Sequence, residues 1–164
     1  MYAYLIVLGI SPLEIDAKYD SLPLHCTLVH WFWLQDNPEV LVKHLEKSLG
    51  DVEPIVLEVQ GQQTFTGKTR QGTVPVTVND ITATPELRKL HKHACDVLES
   101  LGVRYSEPQY VHDGFHPHVT HQKDGYLKPG DVHVSTELYL VEAGEPEYGN
   151  ERTVRAAIRL SATR

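Results

Sequence analysis

The chain has 164 residues, 41% hydrophobic and 23% charged, and carries a formal charge of −7 with its ten histidines neutral. That length suits about one domain, spanning residues 1–164, with a real core, and the composition is ordinary for a soluble globular protein. The negative balance excludes an extended nucleic-acid surface, which needs a basic stripe against the phosphates. It leaves room for a small nucleotide or an RNA end held by a few focused donors.

Residues 1–10 are apolar, without a basic leader or a cleavage pattern, and too short to span a bilayer. They read as a buried central strand in a cytoplasmic protein with no membrane partner. Cys26 and Cys95 give neither a disulfide framework nor metal spacing, and are expected as buried free thiols in a reducing compartment. A polar loop from Ser11-Pro12 to Asp20 leads to an apolar run over residues 23–30. Asn37 and Pro38 then open a helix with Val40, Leu41, Leu45 and Leu49 on its apolar stripe and Gly50 at its end.

Alternation of Ile55, Leu57 and Val59 predicts a strand over residues 54–60. Residues 61–72 read as a polar loop carrying Lys68 and Arg70. Residues 73–78 form a strand that Pro75 places at an edge or an irregular pairing. Thr84-Pro85-Glu86 starts a second helix, with Leu87, Leu90, Ala94, Val97, Leu98 and Leu101 at helical spacing and Gly102 closing it. His91 and His93, beside Lys92, are expected in solvent. A loop with Pro108, Tyr110 and His112 precedes a second motif strand over residues 115–121. Two further strands, over 132–141 and 153–162, flank a turn-rich stretch at 144–150.

Two of these strands carry the chemistry. His25-Cys26-Thr27-Leu28 and His118-Val119-Thr120-His121 each hold His-x-Thr in an apolar setting. The strand period of two puts His25 with Thr27, and His118 with Thr120, on one face, while Cys26, Leu28 and Val119 point to a core. Side by side, such strands bring two imidazoles and two hydroxyls into one cleft, suited to acid–base work on a phosphate. A lone triplet is weak, since chance alone yields on the order of one in a chain this rich in histidine. His133-Val134-Ser135 reads as such a decoy on an ordinary strand. By parity His116 joins the catalytic face and His30 does not. A zinc site at His116, His118 and His121 is disfavoured because His121 has the wrong parity and no cysteine or clear carboxylate partner lies near. Trp31, Phe32 and Trp33 read as core and rim packing rather than a base-stacking platform. Phe65, Tyr110 and Tyr148 are weaker stacking candidates.

The ordered pair of motifs, with a helix after the first and a long helix before the second, resembles the 2H phosphoesterase superfamily, which includes the bacterial 2′-5′ RNA ligase and cyclic phosphodiesterase proteins. The tail also resembles that family's final strand, Tyr-bearing loop and closing strand. The resemblance implies an α+β fold of two antiparallel-sheet lobes, each with a helix, related by a pseudo-two-fold about a central groove. It implies His25 and His118 as the acid–base pair, Thr27 and Thr120 on the non-bridging phosphate oxygens, and no cofactor or metal. As candidates to meet the phosphate charge, Lys123 sits close to the second motif in sequence, and Lys68 and Arg70 lie on the polar loop.

Two histidines suit phosphodiester hydrolysis, because an imidazole with a pKa near 6.5 can act as base or acid close to neutrality. Hydroxyl donors suit the equatorial oxygens, where negative charge stays. The expected activity is metal-independent hydrolysis of a 2′,3′-cyclic phosphate or a 2′-5′ phosphodiester. Alternatives are a hydrolase of cyclic di- or oligonucleotide signals, as some viral members are, and a catalytically silent nucleotide-binding module.

Overall fold

The computed structural model describes residues 1–69, 72–122, 125–143 and 151–161, with the backbone alone at positions 68 and 69. In chain order the elements are β1 (Tyr2–Gly9), β2 (Lys18–Tyr19), β3 (His25–Leu34), α1 (Pro38–Leu49), β4 (Ile55–Thr69), β5 (Gly72–Ile81), α2 (Pro85–Ser100), β6 (Arg104–Tyr105), β7 (His118–Thr120), β8 (Val132–Ser135), β9 (Glu137–Ala143) and β10 (Arg152–Arg159). Short 3-10 turns occupy Pro108–Tyr110 and His112–Gly114. Antiparallel pairing joins the strands in the order β2-β10-β9-β1-β3-β7-β5-β4-β8, with β6 on β3. The result is a mostly antiparallel sheet, curled into a half-barrel, with two helices. None of the helices described is long and apolar enough to cross a membrane.

The unbroken apolar run of β1 follows from its place between two cores. Tyr4, Ile6 and Leu8 face the helices, while Leu5 and Val7 pack with Trp31, Tyr139, Val141 and Val154 on the other side. Both helices start as the sequence predicts: Asn37 accepts from the Val40 amide at 3.0 Å, and Thr84 from the Leu87 amide at 3.2 Å. They pack against each other over one face, α1 burying Leu41, Leu45 and Leu49, although Val40 is exposed.

Several sequence expectations need correction. The polar stretch after Gln60 is not a loop, because β4 runs on to Thr69 and pairs with β5 as a two-stranded ribbon. Largely exposed beyond Gln60, the β4 arm of that ribbon has no apolar alternation to betray it, unlike β5 with Val74, Val76 and Val78. Pro75 sits in it where β5 pairs only with β4, as an edge proline should. The second motif strand is shorter than expected, residues 118–120 only. The expected strand over 132–141 is two, broken at Thr136: β8 pairs with β4, and β9 with β1 and β10. Residues 144–150 and the end of the last predicted strand lie outside the described residues.

His91 departs furthest from expectation, being buried rather than solvated. Four residues beyond Leu87 and four before Cys95, it lies on the apolar stripe of α2. Its Nδ1 donates to the Leu28 carbonyl at 2.8 Å, and its Nε2 accepts from the His112 amide at 2.9 Å. Phe115 stacks on the ring with centroids 4.0 Å apart. Both nitrogens are thus satisfied in the neutral form, and burial holds the pKa below the usual imidazole value.

A folded pKa below the unfolded one means that the unfolded chain takes up the proton first as pH falls. The stability from neutral His91 is therefore full above about pH 6.5 and is lost as pH drops toward the lowered folded value. Denaturant unfolding should show His91→Ala costing roughly 3 kcal/mol, from a cavity plus two orphaned backbone groups. His91→Gln, which keeps a donor but does not titrate, should make stability fall less steeply below pH 6.5. Parallel stability–pH curves for wild type and His91→Gln would remove His91 as the source.

Candidate active site

The motif strands lie side by side through one residue pair, Cys26 opposite Val119, both fully buried. Their neighbours His25, Thr27, His118 and Thr120 are half-buried on the other face. That register sets Thr27 opposite His118 and His25 opposite Thr120, a spacing of about 5 Å between β-carbons. On the far side of β7, Asp80 pairs with His118 and Val78 with Thr120.

This face forms the floor of two adjoining compartments. The smaller, about 220 Å³, is lined by all four motif residues together with His30 and Arg152. The larger, about 660 Å³, shares Thr27, His30, His118, Thr120 and Arg152, and adds Phe65, Glu107, Tyr110 and His116. So the two motif histidines meet in one pocket, and Phe65, Tyr110 and His116 line the same groove. Lys68 is described by backbone alone, while Arg70, Lys123 and Tyr148 lie outside the described residues. His133 sits on β8, paired with β4 and away from both compartments. His121 turns to the opposite face, where its Nε2 bonds Asn79 Oδ1 at 3.0 Å.

Each motif imidazole is fixed in the same way. His25 Nδ1 donates to the Pro23 carbonyl at 2.7 Å, and His118 Nδ1 to the His116 carbonyl at 2.8 Å. In both cases the acceptor is two residues back and a proline stiffens the link: Pro23 itself, and Pro117 between His116 and His118. A proton held on Nδ1 assigns proton exchange to Nε2. Burial lowers the His118 pKa, as does the neighbouring His116, while the His116 carbonyl and Asp80 act the other way. Beside it, His116 Nε2 pairs with Asp80 Oδ1 at 2.8 Å, and Asp80 also accepts from the Gln63 amide. The Phe65 ring stands edgewise to both His116 and His118, with centroids 5.4 Å away in each case.

Two groove residues escape sequence reasoning. Parity excludes His30, yet it lines both compartments. Between the pairs Tyr4–Phe32 and Val7–Thr27, three steps of β1 face five of β3, so β3 bulges there. Consecutive Leu28 and Val29 both enter the core, and His30 swings to the groove. Burial and the nearby His118 hold the His30 pKa down against the pull of Glu107. Arg152, from β10, is the other. Its Nη1 donates to the Asp20 carbonyl at 3.0 Å, and its guanidinium lies 5.8 Å from the centre of the Trp31 ring. Among the described residues it is the one Arg or Lys lining the groove. No local motif signals it, because well over a hundred residues separate it from the first motif.

The fold is that of known phosphoesterases. Escherichia coli LigT complexed with 3′-AMP aligns over 98% of each chain at TM-score 0.62 and 13% identity. TT0787 of Thermus thermophilus aligns over the same shares at TM-score 0.56 and 17% identity. At such identities the likeness is one of fold. The family model of the 2′-5′ RNA ligase superfamily matches residues 9–130, and the chain belongs to that superfamily, the 2H phosphoesterases. No curated protein sequence matches it.

One wall of the groove depends on a tight turn. A Cβ at Gly114 would overlap the Gln109 carbonyl oxygen, between the groove residues Tyr110 and Phe115. Gly114→Ala should therefore displace this loop, lowering the melting temperature and raising backbone exchange over residues 108–115. Unchanged exchange there would mean that the turn accommodates a side chain.

Proposed function

We propose that this chain is a metal-independent phosphodiesterase that opens a 2′,3′-cyclic phosphate or cleaves a 2′-5′ linkage in nucleotides or at RNA ends. The observation that carries this reading is the convergence of His25, Thr27, His118, Thr120 and Arg152 on one small pocket. LigT, whose fold this chain shares, has been crystallised with 3′-AMP, ATP and NADP+, which supports a nucleotide as the ligand. In this reading the parts of the sheet on either side of the Cys26–Val119 pair act as the two lobes of a single unit.

We assign His118 as the base, because burial lowers its pKa and so favours the neutral ring with Nε2 free to take a proton. Nε2 takes a proton from water as the water oxygen bonds to phosphorus. The bond from phosphorus to the leaving ribose oxygen breaks on the opposite side, and His25 Nε2 protonates that oxygen. Thr27 and Thr120 donate to the non-bridging oxygens, and Arg152 balances their charge. Proton exchange with solvent restores both rings.

The larger compartment, about 660 Å³ against about 220 Å³, favours a second reading in which a cyclic di- or oligonucleotide signal is the substrate. Both readings place the scissile phosphate in the same pocket.

A panel of 2′,3′-cyclic mononucleotides, 2′-5′ dinucleotides and cyclic dinucleotides, assayed in EDTA, tests these readings. His25→Ala and His118→Ala should each lose more than about a hundredfold in kcat, within the range of general acid–base catalysis. The acid limb of kcat/KM should fall below pH 6.5, because protonating His118 removes the base. Turnover that survives either substitution would defeat the assignment, and binding without turnover would leave a nucleotide-binding module.

Arg152→Ala should lower kcat/KM by roughly ten- to a hundredfold, as expected for hydrogen bonds to a charged group. Arg152→Lys should recover only part of it, lacking the planar fork. Equal rates in all three proteins would place the phosphate away from Arg152.

A further inference from the structure

We propose that the end of the larger compartment remote from His25 is a guanine-selective base site, in which the Glu107 carboxylate accepts the N1 and N2 hydrogens. This rests on the nucleotide reading above and adds the identity of the base.

Glu107 lines the larger compartment and not the smaller, whereas His25 lines the smaller and not the larger. The carboxylate and His25 therefore sit at different ends of the groove, with Thr27, His30, His118, Thr120 and Arg152 bordering both compartments between them. Such a separation suits a nucleotide whose phosphate and base are recognised by groups of opposite kind.

A half-buried carboxylate in a groove built for an anion is costly unless hydrogen-bond donors meet it. The ionic neighbour of Glu107 among the described residues is His30, whose Nδ1 is 3.8 Å from Oε2, beyond hydrogen-bond reach. Its acceptor capacity thus faces the groove. The position is firm as well. The Ser106 amide donates to the Trp31 carbonyl at 2.9 Å, and the Tyr110 amide to the Glu107 carbonyl at 3.0 Å. Phe65, Val76 and Phe115 supply apolar walls for the faces of a ring.

Donor pattern selects among the bases. Guanine presents N1–H and N2–H side by side, so one carboxylate can accept both. Adenine and cytosine set their amine beside a ring nitrogen that is itself an acceptor and repels the second carboxylate oxygen. Uracil offers one N–H between two carbonyls. His30 beside Glu107 can give the donor that guanine O6 needs. A site built on such bonds rejects a base that cannot complete them.

Binding of 3′-GMP, 3′-AMP, 3′-CMP and 3′-UMP by titration calorimetry tests the base site separately from catalysis. Wild type should bind 3′-GMP at least about tenfold more tightly than the others. Glu107→Gln should narrow that preference to within about threefold, and 3′-IMP, lacking the 2-amino group, should fall between 3′-GMP and 3′-AMP. Equal affinities in wild type, no measurable binding of any of the four, or a guanine preference intact in Glu107→Gln would each overturn the proposal. Turnover of the cyclic nucleotides, measured alongside, reports on the phosphodiesterase reading: guanine-selective binding without turnover would leave the base site standing and remove the catalysis.

Discussion

A single backbone pairing, Cys26 with Val119, brings the two motif strands together, and the site depends on it. Both side chains are fully buried beneath the helices, so their burial fixes which way the neighbouring side chains point. A slip of one residue in β7 would send His118 and Thr120 into the core and bring Val119 to the groove. Such a slip is opposed from both sides of β7. Asn79 pairs with Val119, is itself buried, and holds both the Gln60 carbonyl and His121. The apolar core thus fixes which side chains reach the groove and in what register.

The same logic sets the orientation of the rings. A histidine on a strand can present either nitrogen, and only one presentation is useful. Pro23 and His116 lend carbonyls that strand pairing does not consume, and each takes the Nδ1 hydrogen of the imidazole two residues on. Below the groove, the bulge in β3 leaves the Leu28 carbonyl to be met by His91, whose other nitrogen holds the loop that carries Tyr110 and Phe115. One buried side chain therefore braces the distortion that turns His30 outward and the wall that faces it. His91 contacts neither compartment and acts on the groove only through what it positions.

What the sequence made legible was whatever obeys a short-range rule. The helix caps at Asn37 and Thr84, the buried β1, the two His-x-Thr faces and the edge proline all follow from local stereochemistry and period. His30 was hidden because parity assumes a regular ladder, and no residue in Leu28-Val29-His30-Trp31 announces two extra positions. Arg152 was hidden because its nearness to Thr27 is a property of β10 reaching across the curled sheet. The extension of β4 past Gln60 was hidden because a largely exposed strand has a loop's composition, although its partner β5 was legible. His91 misled because its polar ring and its neighbour Lys92 suggest solvent, although its spacing of four from Leu87 and Cys95 sets it on the apolar stripe, where the Leu28 carbonyl and the His112 amide satisfy it.

The charge pattern ties groove to substrate. A chain at −7 repels a long polyanion at every point of its surface except where cations are concentrated. Along the groove, Arg152 stands with four imidazoles, from His25, His30, His116 and His118, and with the carboxylates of Asp20 and Glu107, while Asp80 pairs with His116. Asp80 is already engaged by His116 and Gln63, so little of its field reaches the motif residues uncompensated. Arg152 is the one permanent cation lining the groove among the described residues, and it borders the pocket of about 220 Å³ that the four motif residues share. An extended RNA strand would carry its next phosphates beyond the reach of Arg152, at the cost of repulsion from a chain of net charge −7. A small or cyclic nucleotide avoids that cost, because its whole charge fits where the cations are.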